Sequence, residues 1–303
     1  MRLSANDLSN LCSIAELAAR QAGTVIRNFL SQPVYQSVPV MSKAGGDSEA
    51  SQVVTQVDLD CEKTMVEILS ESIESFDIGL LTEECQDNGS RLSKDYFWCI
   101  DPLDGTLAFI EKKAGFAVSI ALVSQAGEPV LGVVYDPQTD TLYSAFKNGG
   151  VFKNGLAWYF DDDQTLAQQS LTVVFDRGLV QKPFFEAMLS EIKQFARQQG
   201  FLDVHEIHDG GAVMNACWVL EQHPACYFKI PKPEVGGGSL WDFAATACLF
   251  NEMGAYARDF SGNPLALNPT MTTFMHERGV FYSSTEPLAD LVRPFVQRIL
   301  SKS

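Results

Sequence analysis

Apolar residues recur at helical spacing from the start of the chain. Leu8, Leu11, Cys12, Ala15, Ala18, Ala22 and Ile26 return every three to four positions, which predicts a helix over 7–30 capped by Ser4 or Asp7. Pro33 and Pro39 break the chain after it, and the Gly/Ser/Ala-rich stretch 42–51 reads as a mobile loop. A second helix is expected from Val53-Val54-Thr55 to about Ser75. The rhythm then shortens. Ile78-Gly79-Leu80-Leu81 and Tyr96-Phe97-Trp98-Cys99-Ile100 read as buried strands. Residues 116–123, 130–136 and 141–146 read as an antiparallel meander, because turn-forming residues 125–128 and 136–140 separate them. Asn154-Gly155 signals a further hairpin.

The pattern changes after the polar stretch 161–170. Strands expected at 171–176, 203–207 and 225–230 alternate with helices at 183–199, 211–222 and 241–253. Strands at 255–259 and 279–283 and a terminal helix from 287 complete the chain. This order predicts an α+β half over 1–160 and an α/β half over 161–303, with the active site where they meet.

Composition narrows the function. The chain has 303 residues, 46% of them hydrophobic and 20% charged, enough for a sizeable core. A net charge of -16 without a Lys/Arg cluster argues against a nucleic-acid polymer or an anionic membrane as partner. The longest apolar run, 116–123, is far short of a membrane span, and no signal-peptide pattern is visible. The seven cysteines are scattered without a CxxC pair and read as buried free thiols in a reducing compartment. These features predict a soluble cytoplasmic protein.

Candidate chemistry concentrates in acids. Asp101-Pro102-Leu103-Asp104-Gly105-Thr106 follows the strand that ends at Ile100. A Pro/Gly turn there aims the Asp101 and Asp104 carboxylates and the Leu103 carbonyl at one point, an oxygen set suited to Mg²⁺. Gly105 and Thr106 offer backbone N–H groups where a helix would begin. Metal beside such amides points to phosphoryl chemistry. Glu83-Glu84 follows another apolar run, Asp242 opens a late helix, and Asp58 lies among Asp60 and Glu62. Taken singly, these read equally as a surface pair, a helix cap and a solvated face.

Val54-Thr55-Gln56-Val57-Asp58, Glu83-Glu84, the hexad 101–106 and Trp241-Asp242, in that order, resemble the inositol monophosphatase superfamily of lithium-sensitive, magnesium-dependent phosphatases. Gly115-Phe116-Ala117-Val118-Ser119-Ile120 and Gly132-Val133-Val134-Tyr135 extend the likeness across most of the chain. The resemblance implies a layered α-β-α-β-α sandwich of the sugar-phosphatase type, with a mostly antiparallel N-terminal sheet and a mixed C-terminal one. It implies two or three Mg²⁺ ions. Glu83, Asp101 and the Leu103 carbonyl would hold the first, and Asp101, Asp104 and Asp242 the second. Glu83, with Asp58 nearby, would hold a weaker third. Glu83 and a Thr106–Asp58 pair would activate the attacking water. Substrate contacts would fall to Asp104, Gly105, Thr106, Gly210, Gly211, Ala212 and Asp242. A homodimer is common in that superfamily, though these residues do not encode it.

Within the resemblance, a small soluble phosphate is the expected substrate. The segment Leu107-Ala108-Phe109-Ile110 matches neither inositol phosphatases nor bisphosphate nucleotidases in full. Phe109-Ile110, Gly210-Gly211-Ala212 and nearby lysines lean toward a 3'(2'),5'-bisphosphate nucleotidase; inositol-1-monophosphatase is the alternative. The loop around Lys43 and the segment Lys229–Ser239 are distinctive. Glu234 is an approximate match for an acid that meets inositol, while Lys229 or Lys232 would instead meet a second phosphate. Two rival classes stand beside this reading. An aspartyl-phosphate phosphatase needs two Asp residues two apart, and here they are three apart. An inactive binding protein should have lost ligands, and Glu83, Asp101, Asp104, Thr106 and Asp242 are all present.

Overall fold

The structure is a computed structural model and describes residues 2–31, 40–42, 53–160 and 169–301. The Lys43 loop and most of the predicted boundary at 161–170 lie outside the described residues. Helix α1 (Ala5–Leu30) starts at Ser4, whose hydroxyl accepts the Asp7 N–H while Asp7 accepts the Ser4 N–H, so both proposed caps act together. Strand β1 (Val40–Ser42) pairs antiparallel with β2 (Val53–Thr55). Helix α2 therefore begins at Gln56 and runs to Ser75, not at Val53 as expected. Three consecutive β-branched residues resist the first helical turn and favour a strand.

A seven-stranded sheet follows. Strand β3 (Gly79–Thr82) lies parallel to β4 (Tyr96–Asp104). After the short helix α3 (Thr106–Ile110), an antiparallel meander runs through β5 (Ala117–Ser124), β6 (Pro129–Asp136), β7 (Thr141–Phe146), β8 (Gly150–Lys153) and β9 (Leu156–Ala157). Asn154 and Gly155, at φ 51° and 76°, form the two-residue turn between β8 and β9. One expectation is corrected here. The predicted turn at 101–104 is the end of β4 itself, with a register shift against β5 between Asp101 and Asp104. Pro102 has no N–H to give to a ladder, and a bulge tolerates that loss.

The second sheet has five strands. Strand β10 (Leu171–Val174) is followed by helices α4 (Arg177–Val180) and α5 (Phe185–Gln198), then by β11 (Val204–Ile207), α6 (Ala212–Glu221) and β12 (Ala225–Lys229). Helix α7 (Leu240–Met253), β13 (Tyr256–Arg258), β14 (Val280–Ser283) and α8 (Glu286–Leu300) complete the chain. The order is β11-β10-β12-β14-β13, parallel on the β10 side and antiparallel around β14.

Layering follows from strand alternation. On β4, Trp98 and Ile100 face α1 and α2, whereas Phe97 and Cys99 face α6 and α7. Helices α1 and α2 thus cover one face of the large sheet, and α6 and α7 fill the space between the sheets. Helices α5 and α8 cover the far face of the small sheet through Ile192, Phe195 and Val292 against Phe228 and Phe281. The result is the α-β-α-β-α sandwich that the motifs imply. Contact between layers is close: a Cβ on Gly132 of β6 would lie 2.3 Å from the Ala245 carbonyl of α7. Six of the seven cysteines are buried as expected, whereas Cys85 is exposed because it lies on the polar turn after β3 rather than in an apolar run. No helix among the described residues is long and apolar enough to cross a membrane.

Candidate metal centre and substrate pocket

Three carboxylates meet where the central helices join the end of β4. Oxygens of Asp101, Asp104 and Asp242 lie within 4.8 Å of one another. Asp101 and Asp104 are only 1% and 6% exposed. Each position has a local cause. The Leu103 N–H donates to Asp101 Oδ1 at 3.0 Å, fixing the bulge. Asp104 accepts the N–H groups of Ala212 at 3.2 Å and Val213 at 2.8 Å, the free donors of the first turn of α6. Asp242 accepts the N–H of Ser239, the residue that caps α7. The Ser119 hydroxyl donates to the Trp241 carbonyl at 3.1 Å and so ties β5 to the start of α7. Asp242 is therefore a helix-terminus residue and a member of the cluster at once.

Electrostatics set this cluster apart. Burial pushes Asp101 well above the usual carboxylate range, and the charges of Glu83, Asp104, Asp242 and Asp58 push it further. Asp104 is also raised well above that range, by burial and then Asp242, although the Val213 N–H and Lys229 oppose the shift. Asp242 is raised by burial against the pull of Lys229. Buried like charges of this kind call for a cation. The donors are all hard oxygens, so the residues present fit Mg²⁺.

Glu83 and Asp58 stand outside the tight group, but both charges reach Asp101, and Glu83 is the strongest of them. The turn that carries Glu83 is held in two places. Glu83 donates its N–H to Ile100 O at 3.2 Å, and Glu84 donates its own to the buried Glu62 at 3.0 Å. Asp58 is buried at 3% exposure, not on a solvated face. It accepts the Thr106 hydroxyl at 3.5 Å, which also lies 3.1 Å from the Leu103 carbonyl.

Glycines bring the surrounding loops together. Gly105 has φ +81°, and a Cβ there would lie 2.5 Å from Gly115 O. The Gly211 N–H donates to that same carbonyl at 2.7 Å. A Cβ on Gly211 would fall 2.3 Å from Asp104 Oδ2, and one on Gly210 would strike Asn215 and Trp218. The loop 210–212 is thus pressed against Asp104, with the N–H groups of Gly211 and Ala212 used inside the protein. Arg177 ties the outer edge, with 3.0 Å to Glu111 beyond α3 and 3.3 Å to the Asp209 carbonyl.

These features match a known family. The family model "Inositol monophosphatase family" covers residues 7–298. The chain belongs to the inositol monophosphatase family. It is 30% identical to the Nus factor SuhB of Pasteurella multocida over 259 residues, 84% of this chain and 87% of that protein. It is 31% identical to the 3'(2'),5'-bisphosphate nucleotidase CysQ of Shigella flexneri over 198 residues, 64% of this chain and 71% of that protein. The crystal structure of extragenic suppressor protein suhB from Bartonella henselae superposes with a TM-score of 0.71 at 24% identity, covering 96% of this chain and 98% of that one.

Within this family member, one polar group escaped the sequence reading. Asp176 stands two residues beyond β10 and accepts the Tyr227 hydroxyl at 2.9 Å and the Asn215 side-chain amide at 3.4 Å. Its other oxygen lies 3.3 Å from the Lys229 ammonium. Of the two lysines singled out, Lys229 lies in the field of Asp242 and Asp104, whereas the Lys232 chain runs beside Gly237. Glu234 is exposed on the same loop. A signal for Asp176 did exist: an acid follows the β-prone run Leu171–Phe175 much as Asp101 follows Ile100.

Proposed function

We propose that the chain is a Mg²⁺-dependent phosphomonoesterase of small soluble esters, with a 3'(2'),5'-bisphosphate nucleotide as its best substrate. One observation carries this reading: the convergence of buried Asp101 and Asp104 with Asp242, their carboxylate oxygens within 4.8 Å of one another and all three raised in pKa. Those three residues, with Glu83 and the Leu103 carbonyl, would hold two or three Mg²⁺ ions. Bound there, Mg²⁺ supplies charge stabilisation to the phosphoryl group and lowers the pKa of water. The chain's own groups do the rest. Thr106 orients the attacking water through its hydroxyl, and Asp58, 3.5 Å behind it, accepts the proton that the hydroxyl relays. Glu83, whose charge reaches Asp101, serves as a second base. Gly105 and Thr106 present backbone N–H groups to the phosphate, and the loop 210–212 bounds the alcohol. Attack is in line on phosphorus, without a phosphorylated aspartate.

Lys229 favours the nucleotide. A chain of net charge -16 repels polyanions, and a fixed ammonium beside the cluster offsets that for a second phosphate. The relative named as a 3'(2'),5'-bisphosphate nucleotidase supports the same choice. Inositol-1-monophosphate is the second reading, and the family model that matches the chain, described as inositol monophosphatase, supports it. Phosphate release with Mg²⁺ from adenosine 3',5'-bisphosphate, its sulfated analogue, inositol phosphates and sugar phosphates separates the two. The highest kcat/KM is expected for the bisphosphate. A higher value for inositol 1-phosphate selects the second reading, and no release from any ester refutes both.

A further inference from the structure

Lys229 ends β12 with its side chain 19% exposed. Burial alone would depress its pKa, but the carboxylates of Asp176, Asp242 and Asp104 outweigh burial and hold it raised. The ammonium lies 5.7 Å from the centroid of the Phe243 ring on α7. Asp176 is the one of these carboxylates within ion-pair distance, at 3.3 Å. Asp176 does not choose its own direction. The hydroxyl of fully buried Tyr227 and the amide of fully buried Asn215 both donate to Oδ1, which turns Oδ2 toward Lys229. Asn215 sits one turn beyond Ala212, whose N–H holds Asp104. One helix thus anchors both a cluster acid and the carboxylate that sets the lysine.

We propose that Asp176 is a positioning residue: it fixes the Lys229 ammonium beside the Asp104–Asp242 edge of the pocket and thereby sets the preference for an ester whose alcohol carries a second anionic group. This rests on the phosphomonoesterase reading. A flexible lysine loses rotamer freedom whenever it meets an anion. Tethering by Asp176 removes much of that loss before the ligand arrives. Two-point attachment then spans the phosphate at the acid cluster and the second anion at Lys229.

The test compares adenosine 3',5'-bisphosphate with adenosine 3'-monophosphate, which differ only in the second phosphate. It uses the wild type, Asp176→Asn, Lys229→Met and the double variant, each with Mg²⁺. The ratio of kcat/KM for the two nucleotides should fall about tenfold in Asp176→Asn, with the loss in KM rather than kcat. Lys229→Met should lower the ratio at least as far, and the double variant should be no worse than Lys229→Met, because Asp176 acts through that lysine. Tyr227→Phe, which keeps the charge but frees its direction, should lower the ratio about two- to threefold. Asp176→Glu should restore part of the loss. An unchanged or increased ratio in Asp176→Asn overturns the proposal, as do losses that multiply in the double variant. If the wild type hydrolyses neither nucleotide, the nucleotidase reading falls. Calorimetric titration of the same two nucleotides into the same four chains then yields the same ratio as binding constants, and judges the Asp176 role separately.

Discussion

Two acid groups sit near strand ends in this molecule, Asp176 half-buried and Asp101 fully buried, and they are treated in opposite ways. Asp176, beyond β10, receives an ammonium, a phenol and an amide. Asp101, within the end of β4, receives one backbone N–H and the repulsion of four other carboxylates. The first site is neutralised by the protein's own side chains, whereas the second gathers like charges that a bound cation would offset. An acid that keeps its neutralising partner positions its surroundings; an acid that lacks one is available to a cation. Buried Asp259 follows the first pattern, with N–H donors from Ser261 and Asn263 at 2.9 and 2.8 Å.

Breaking the second site should have the largest effect. Asp101→Asn removes the carboxylate at the centre of the cluster and should lower kcat/KM about a thousandfold or more, since loss of metal charge stabilisation amounts to several kcal/mol. Turnover within tenfold of wild type on the best ester from the panel would remove Asp101 from the ligand set. Thr106→Ala comes next. It deletes the hydroxyl between Asp58 and the Leu103 carbonyl and should cost about a hundredfold, the lower end of general acid–base catalysis. Thr106→Ser keeps the hydroxyl and should retain most activity; equal loss in both variants would show that the methyl group, not the oxygen, matters.

A smaller effect probes the packing that presents Asp104. Gly211→Ala places a methyl group 2.3 Å from Asp104 Oδ2 and 2.6 Å from the Gly105 N–H. The carboxylate must move, and displaced support of a metal ligand weakens metal affinity by about 10–100-fold. Mg²⁺ titrated calorimetrically into the Ala variant should therefore bind at least tenfold more weakly than to wild type. Unchanged affinity would mean that the loop 210–212 yields rather than Asp104.

The two sites also differ in how far the chain alone discloses them. The meander is legible because each of its turns is local, as at Asn154-Gly155. The order of the small sheet is not, because β10 pairs with β12 across an intervening strand and two crossovers. Asp101 and Asp104 announce themselves by proximity. Asp242 joins them only through the packing of α7 on the large sheet, and spacing carries no trace of that; ordered motifs supplied it. Asp58 was readable in principle. Asp58, Glu62, Met65 and Leu69 fall at helical spacing on one buried face, whereas Asp60 points outward. Counting acids in the segment hid what periodicity would have separated. The misplaced start of α2 has a similar cause, since apolar content concealed a β-branched run.

The subtlest difference between the two sites should appear in stability without any metal. Asp101, Asp104 and Asp242 are raised above their ordinary value of 3.8, so the folded chain holds protons that the unfolded chain has already released. Their ionisation therefore destabilises the fold as pH rises from near 3.8 through the raised values, and acidification restores what was lost. Other groups titrate over the same range, so the useful quantity is the difference between wild type and Asp101→Asn. The variant removes one charge from the cluster and should melt higher at neutral pH in a chelator. Each kcal/mol of repulsion relieved raises Tm by about 2 °C in a chain of 303 residues. The gap should narrow as pH is lowered, because the wild-type cluster then takes up protons. Saturating Mg²⁺ should reverse its sign, since the ion stabilises only the complete ligand set. Asp176→Asn, which breaks a satisfied pair, should instead melt lower than wild type at neutral pH with or without Mg²⁺. Parallel melting curves for the two variants would mean that the fold does not distinguish the neutralised site from the one that gathers like charges.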